Sequence, residues 1–309
     1  MRTVRILMDR IVDYAGLFPP AKLDMAATVR NFAQFRDGED AWMLGRLVVP
    51  VARFEEFERE ADSLLSRSTG DDDFWTISAL TAPMGDPGYR SDLRAIEAFN
   101  ERHANGQHGA VVVDTIETKA GDAATLDRGL DATTDGLFAF VELPVETDCR
   151  GLIAALSGRF AAAKVRTGGV TPEAVPSVEQ LARFVSACAA ADVPFKATAG
   201  LHHPLRHQGT AATNEPGCPV HGFLNVFLAA IAAWKAKASE GEVAALLDER
   251  SIASFRFDDE RVAFGRFTLG AADVREGRER FALSFGSCSF EEPLEDLRSH
   301  QLLQTASLR

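Results

Sequence analysis

Short apolar runs alternate along this chain with longer stretches in which apolar residues recur three and four positions apart. The short runs have the ~4–8 residues typical of strands buried on both faces, and the longer stretches have the periodicity of helices that cover a sheet. The runs span residues 11–18, 46–51, 74–81, 110–116, 137–143, 160–166, 194–200 and 281–285. Regular alternation of strand and helix predicts an α/β fold with parallel strands, and eight strands predict a closed (β/α)8 TIM barrel.

One segment does not fit the repeating unit. Residues 210–280 hold two helical patterns and a strand-like pair around RFDDERVAFGRF, which is more than a single βα unit needs. The length of 309 residues lies within the range of one-domain barrels. We therefore predict a single barrel domain over residues 1–309, with the segment 210–280 as an elaboration inserted before the last barrel strand.

Composition and charge narrow the classes of function. Hydrophobic residues make up 46% and charged residues 25% of the chain, as in ordinary globular proteins. The net charge of −12 argues against nucleic-acid or membrane partners, since both need a basic surface. No apolar run approaches the ~20 residues of a membrane span, and the N-terminus has no signal-peptide pattern. We expect a cytoplasmic protein with reduced cysteines and a small-molecule partner; self-association as a homo-oligomer is an open alternative.

Two lysines occur inside apolar runs, Lys164 in AAAKVRTGG and Lys196 in PFKATAG. A buried ammonium has a lowered pKa, as does one beside a second cation, and the neutral amine is the form that attacks a carbonyl group to give a Schiff base. The alternative is that each lysine only pairs with a carboxylate. Asp13, Asp114 and Glu142 occupy comparable positions in other runs. Because strand C-termini converge at one mouth of a barrel, these acids and lysines are expected to meet there.

In their order along the chain, these motifs resemble those of the deoxyribose-phosphate aldolases and related class I aldolases. KVRTGG at Lys164 resembles the Schiff-base segment of that family, and FKATAG at Lys196, 32 positions later (196 − 164), resembles its second lysine segment. VDYAG, VVDTI and FVE resemble its segments on strands one, four and five. The closing FGSCSFEEPLEDL resembles its phosphate-binding turn and helix.

The resemblance implies a lyase that makes or breaks a carbon–carbon bond of a small carbonyl substrate, without a cofactor. It implies that Lys164 is the nucleophile, that Lys196 lowers the pKa of Lys164, that Asp114 shuttles protons and that Asp13 orients groups in the mouth. The expected substrate-binding residues are Glu142, Arg166, Gly168, His202, His203, Gly286 and Ser287.

The chain departs from the family where phosphate would bind. AGLHHPLRH follows Lys196 in place of a double glycine, and two acids, Glu291 and Glu292, stand at the start of the last predicted helix. Carboxylates suit a helix N-terminus but repel phosphate. A nonphosphorylated or carboxylate-bearing substrate is therefore expected, with Arg166 as its clamp.

A second constellation supports a different class of function. Five residues that can bind a metal lie within 20 positions: His202, His203, His207, Cys218 and His221. Their spacing matches no recognised metal motif, but imidazole and thiolate are the ligands of a divalent metal such as zinc. A metal-dependent barrel enzyme is thus one alternative. Another is a noncatalytic binding barrel, in which both lysines are held in salt bridges and cannot reach a pocket.

Overall fold

The computed structural model describes residues 1–68, 74–169, 171–209 and 218–303. The strands are β1 (Val12–Tyr14), β2 (Leu44–Pro50), β3 (Trp75–Leu80), β4 (Val111–Lys119), β5 (Phe138–Glu142), β6 (Ala161–Arg166), β7 (Phe195–Thr198), β8 (His207–Gly209), β9 (Cys218–Val220), β10 (Phe255–Phe257), β11 (Arg261–Phe264), β12 (Phe267–Gly270) and β13 (Ala282–Ser287). The helices are α1 (Arg2–Met8), α2 (Met25–Asp37), α3 (Phe54–Ala61), α4 (Pro87–His103), α5 (Ala123–Ala132), α6 (Arg150–Leu156), α7 (Val178–Ala191), α8 (Phe223–Ala236), α9 (Glu240–Leu247), α10 (Ala271–Arg280) and α11 (Glu291–Ser299).

Eight parallel strands close into a barrel in the order β1-β13-β7-β6-β5-β4-β3-β2. Each of the eight apolar runs overlaps one barrel strand, so the prediction of a (β/α)8 barrel is confirmed. The strands are buried on both faces because side chains fill the barrel interior on one side and helices cover the other.

Helix starts follow local sequence signals. Asp24, Asp86 and Asp122 accept hydrogen bonds from backbone N–H groups in the first turns of α2, α4 and α5. Ser177 and Ser239 form capping boxes at α7 and α9. These caps satisfy backbone donors that have no partner inside the helix, so each βα turn ends at a defined residue.

The predicted elaboration follows β7, although residues 210–217 lie outside the described ranges. It contains the antiparallel pair β8-β9, helices α8 and α9 and the antiparallel sheet β10-β11-β12. Helix α8 is buried along nearly its whole length, which explains its uniformly apolar sequence. Helix α1, which the sequence pattern did not predict, packs against α10. None of the helices within the described ranges is long and apolar enough to span a membrane.

Buried Arg278 ties α10 to the N-terminal end of the barrel. Its guanidinium donates hydrogen bonds to the carbonyl oxygens of Leu7, Asp9, Ala282 and Leu283. Burial lowers the pKa of Arg278 to about 10, which still leaves it charged at neutral pH. These contacts make Arg278 a structural residue remote from the mouth of the barrel.

Candidate active site

A pocket of about 400 Å³ opens at the C-terminal ends of the barrel strands. Each of the eight strands, or the turn that follows it, contributes to its wall, as expected of a barrel active site. The described lining residues are Ala15, Phe18, Pro19, Pro20, Val48, Leu80, Glu117, Lys119, Glu142, Lys164, Arg166, Gly169, Thr198, Ala199, Gly200, His202, Gly286 and Cys288.

A network of two lysines and three carboxylates lies at the base of this pocket. Lys196 Nζ is 2.5 Å from Asp13 Oδ2 and 2.6 Å from Glu117 Oε1. Lys164 Nζ is 2.8 Å from Glu117 Oε2 and 3.1 Å from Glu142 Oε2. The lysines are adjacent because β6 and β7 pair with Lys164 opposite Lys196. Glu117 therefore bridges the two ammonium groups.

Further hydrogen bonds fix the carboxylates of this network. Ser78 Oγ donates to Glu117 Oε1 at 2.9 Å, and Ser284 Oγ donates to Asp13 Oδ2 at 2.8 Å. The backbone N–H of Arg46 donates to Asp13 Oδ1 at 2.8 Å. A buried carboxylate with this many donors is held in one orientation, so the positions of both lysines are also fixed.

The network keeps Glu117, Glu142 and Lys196 charged despite burial. Burial by itself would raise the pKa of Glu117, but the ammonium groups of Lys164 and Lys196 outweigh it and hold that pKa far below its usual range. Burial would lower the pKa of Lys196, yet Asp13 and Glu117 raise it above its ordinary value. For Glu142, burial is again outweighed, here chiefly by Lys164, and the pKa is lowered. The opposite charges thus stabilise each other in a region of low dielectric constant.

The two lysines differ in their access to the pocket. Lys164 lines it, with 4% of its side chain exposed, whereas the side chain of Lys196 is fully buried behind Lys164 and Glu117. The alternative of a noncatalytic barrel predicted lysines that are salt-bridged and cut off from any pocket. Both lysines are salt-bridged, but of the two only Lys164 reaches the pocket and could contact a bound molecule.

Asp114 is not brought to the lysines. Its carboxylate forms a two-point ion pair with the guanidinium of Arg46, with both N···O distances 2.7 Å, and about a third of each side chain is exposed. Asp114 lies three residues before Glu117 on β4, about 10 Å nearer the N-terminal end of the barrel. The proton-shuttle role expected of Asp114 therefore has no geometric support, and Glu117 occupies the position beside the lysines.

Sequence reasoning missed Glu117 because it ended the fourth strand at residue 116, whereas β4 continues to Lys119. Residues 117–119 (ETK) are polar, but a strand can carry polar side chains where it reaches the mouth of a barrel. A strand of nine residues would have included both Glu117 and Lys119 among the candidates. The four other predictions for this network (Asp13, Glu142, Lys164 and Lys196) lie together as expected.

The expected substrate-binding residues divide into two groups. Glu142, Arg166, His202 and Gly286 line the pocket, whereas Gly168, His203 and Ser287 are not among its described lining residues. A Cβ atom on Gly168 would lie 2.8 Å from the Cα of Gly200, so this glycine permits the close approach of two turns. His203 binds Asp296 through Nδ1 at 2.6 Å, and the buried Ser287 side chain accepts a hydrogen bond from the N–H of Ser289.

The proposed metal ligands are engaged in separate contacts. His202 and His203 bind Glu292 and Asp296, while Nδ1 of His207 contacts the carbonyl oxygen of Leu205. The remaining two are equally dispersed, with His221 Nε2 at 2.8 Å from Pro176 O and Cys218 Sγ near Pro219 O. Within the described ranges no three His, Cys, Asp or Glu side chains are grouped to hold a metal ion. The metal-dependent alternative has no geometric support in this part of the chain.

The pocket carries a surplus of cations. Of the lining residues within the described ranges, Lys119, Lys164, Arg166 and His202 are basic, whereas Glu117 and Glu142 are acidic. Lys119 contacts Glu142 Oε1 at 2.9 Å, and the half-exposed Arg166 lies 3.7 Å from the same oxygen. A guanidinium and an ammonium at the rim favour a ligand with an anionic group.

Comparisons with known proteins add little to this description. No protein-family model matches the chain, and no curated protein matches it. A solved structure described as "The crystal structure of AsfvAP:AG" aligns over 87% of this chain and 95% of its own, at 9% identity and a TM-score of 0.38. A likeness this weak carries no argument about function.

Proposed function

We propose that this protein is a Schiff-base lyase that makes or breaks a carbon–carbon bond of a small carbonyl compound. The observation that carries the proposal is the buried amine of Lys164, which faces a barrel-mouth pocket from a network of buried, fixed charges. A nucleophilic lysine can be activated by a neighbouring base or by a second cation, and this network places the carboxylate of Glu142 and the ammonium of Lys196 near Lys164.

Glu142 is the base that the geometry favours for Lys164. Its Oε2 atom lies 3.1 Å from Lys164 Nζ, and within the described residues this buried oxygen has no hydrogen-bond partner. It can therefore accept the proton that Lys164 loses. Glu117 is a poorer acceptor because both lysines hold its pKa far below the usual range.

The reaction then proceeds on the side chain of Lys164. Nζ bonds to the carbonyl carbon, the C=O π electrons move to oxygen, and Glu142 passes two protons in turn from the nitrogen to this oxygen, which leaves as water. Glu142 then takes the proton of the hydroxyl group on the β carbon, the bond between the α and β carbons breaks, and its electron pair moves to the iminium nitrogen. An aldehyde departs and an enamine remains on Lys164; protonation of the enamine by Glu142 and hydrolysis of the iminium release the second product. The same steps in reverse form the bond. Lys196 keeps its proton throughout and holds Glu117 in position beside Lys164.

Reductive trapping tests the role of Lys164. We expect incubation with borohydride and a panel of glyoxylate, pyruvate and acetaldehyde to add one substrate-sized mass to the wild-type protein, as measured by intact-mass spectrometry. Lys164→Met should lower the trapped fraction by at least about tenfold, since among the described pocket residues it removes the lysine amine that is buried beside a base.

Lys119→Arg is the matched control for this experiment. Lys119 lines the same pocket but has 55% of its side chain exposed, and exposed lysines are the main source of adventitious trapping. Trapping should persist in Lys119→Arg. If no carbonyl compound is trapped by the wild type, or if Lys164→Met is trapped as fully as the wild type, the proposal is wrong and the noncatalytic binding barrel gains support.

Arg166 provides a test of the substrate class. We expect Arg166→Leu to raise the pyruvate concentration needed for half-maximal trapping by about tenfold, because a charge-assisted hydrogen bond to a carboxylate is worth about 1.5–3 kcal/mol. Trapping of acetaldehyde, which has no carboxylate, should change less than twofold. Equal effects on both compounds would show that Arg166 does not bind the acid group.

A further inference from the structure

Three side chains from separate elements meet on the wall of the pocket. Cys288 follows β13, His202 follows β7, and Glu292 lies in the first turn of α11. The sulfur of Cys288 is 3.9 Å from Nε2 of His202, and Nδ1 of the same ring is 2.6 Å from Glu292 Oε2. The imidazole of His202 thus lies between a thiol and a carboxylate. One ring nitrogen faces the sulfur, and the other binds the acid, which orients the ring.

This cluster has access to small molecules. Cys288 and His202 both line the pocket, and each is nearly buried, whereas Glu292 has 46% of its side chain exposed. Cys149 and Cys188 differ, since burial raises the pKa of both thiols, and Cys188 is fully enclosed in the core. Of these three cysteines, only Cys288 combines a basic neighbour with an opening to the pocket.

The ring beside the sulfur carries a positive charge. Burial alone would lower the pKa of His202, but its hydrogen bonds to Cys288 and Glu292 raise the pKa to about 9. At neutral pH the ring is therefore an imidazolium, and its Nε2 atom lies 3.9 Å from the sulfur of Cys288. An acid that binds the far nitrogen and a thiol at the near one is the arrangement that activates cysteine nucleophiles.

Other titratable and charged groups lie around the cluster. Burial raises the pKa of Tyr14, a hydrogen bond with Asn31 lowers it, and the neighbouring Cys288 and Glu291 raise it further, so the phenol is neutral. Glu291 and Glu292 carry negative charge, and His203 lies near Glu292. The imidazolium of His202 is the cation in direct contact with the sulfur, so it should control the reactivity of Cys288.

We propose that Cys288, His202 and Glu292 form a second nucleophilic site in this pocket, which adds reversibly to the carbonyl group of a small aldehyde or ketoacid. The sulfur bonds to the carbonyl carbon, the C=O π electrons move to oxygen, and the oxygen takes the proton from His202 Nε2. The product is a hemithioacetal or hemithioketal, and reversal returns the proton to the ring. This site is independent of a Schiff base at Lys164.

Alkylation tests the reactivity of the thiol. At pH 6, we expect iodoacetamide to modify Cys288, mapped by peptide mass spectrometry, at least about tenfold faster in the wild type than in His202→Gln, because an ordinary thiol is almost fully protonated at that pH. Glu292→Gln, which changes a half-exposed side chain, should slow the reaction about threefold. Glu291→Gln is the matched control, since Glu291 does not contact His202, and it should not slow the reaction.

A rate for Cys288 no higher than that of free cysteine, or a rate unchanged in both His202→Gln and Glu292→Gln, would overturn the proposal. Thermal unfolding of each variant shows whether it is folded. If His202→Gln does not fold, the alkylation rate of Glu292→Gln still tests the proposal.

Protection by a carbonyl compound tests the ligand class separately from Lys164. Glyoxylate is expected to slow alkylation of Cys288 at least about fivefold in Lys164→Met, in which no Schiff base can form at position 164. Protection seen in the wild type but absent in Lys164→Met would show that lysine alone holds the carbonyl compound and would overturn addition to sulfur. Failure of borohydride trapping at Lys164 would leave this result unaffected, so the two proposals can fail independently.

Discussion

Glu117→Gln is expected to lower the free energy of unfolding by about 4 kcal/mol, because removing one partner of a buried ion pair costs about 3–5 kcal/mol. The glutamine has nearly the same shape as the glutamate, so the packing is retained and the change is electrostatic. Lys196 would keep only Asp13 as an anionic partner, and Lys164 would keep only Glu142. Against a typical total stability of about 5–15 kcal/mol, this loss is large.

Asp114→Asn is the matched control on the same strand. It too removes one negative charge from an ion pair on β4, but Asp114 and Arg46 are each about one third exposed. Solvent screens such a pair, so the expected loss is only about 0–1 kcal/mol. Urea unfolding at pH 7, followed by circular dichroism, measures both. Equal losses in the two variants would show that the buried network does not contribute to stability in the way its geometry indicates.

Lys196→Met is expected to change how stability depends on pH. In the wild type, the lowered pKa of Glu117 contributes stability that is present above its unfolded-state pKa and is lost as the pH falls through the folded-state value. The raised pKa of Lys196 contributes stability that is present below its unfolded-state pKa and is lost as the pH rises through the folded-state value. Neither contribution changes between pH 5 and pH 8.

In Lys196→Met, the carboxyls of Asp13 and Glu117 lose an ammonium group that lies 2.5 and 2.6 Å away. The three carboxylates of the network are then left with one buried ammonium group, Lys164, so burial favours uptake of a proton by the network, and the variant binds more protons when folded than when unfolded. Its stability should fall as the pH rises, by as much as about 1.4 kcal/mol per pH unit for one proton. The free energy of unfolding is lower in the variant than in the wild type, and we expect this deficit to be about 1–2 kcal/mol larger at pH 8 than at pH 5.

Urea unfolding of both proteins across this pH range measures how much lower the free energy of unfolding is in the variant. Subtracting one free energy from the other removes contributions that the two proteins share, such as those of His202 and His221. Lys119→Met is the control, because Lys119 is more than half exposed and its loss should give a small deficit that does not depend on pH. A deficit in Lys196→Met that is constant with pH would mean that the carboxyls remain ionised without their partner.

The sequence by itself determined the fold and the positions of both lysines along their strands. Eight buried strands and the helices between them follow from local periodicity, which burial on two faces imposes on each segment. The sequence also indicated extra helices and a strand pair before β13, but not the third strand of the sheet β10-β11-β12 or the pair β8-β9, which begins at His207. Lys164 and Lys196 could be identified in the same way, because a lysine inside an apolar run must have a partner. The local sequence does not show which residue is that partner, because the partner lies on another strand.

Only the tertiary structure decided which acids meet the lysines. The register between β3 and β4 shifts after the pair Ile77 and Val113. The next pair is Ser78 with Thr115, so Asp114 has no partner on β3. One extra residue changes the face on which every later side chain lies, which places Glu117 rather than Ile116 toward the lysines. The contacts of Cys288 with His202 and of His202 with Glu292 span 86 and 90 positions, respectively. Such meetings depend on closure of the barrel, where strand register, rather than sequence distance, decides which side chains touch.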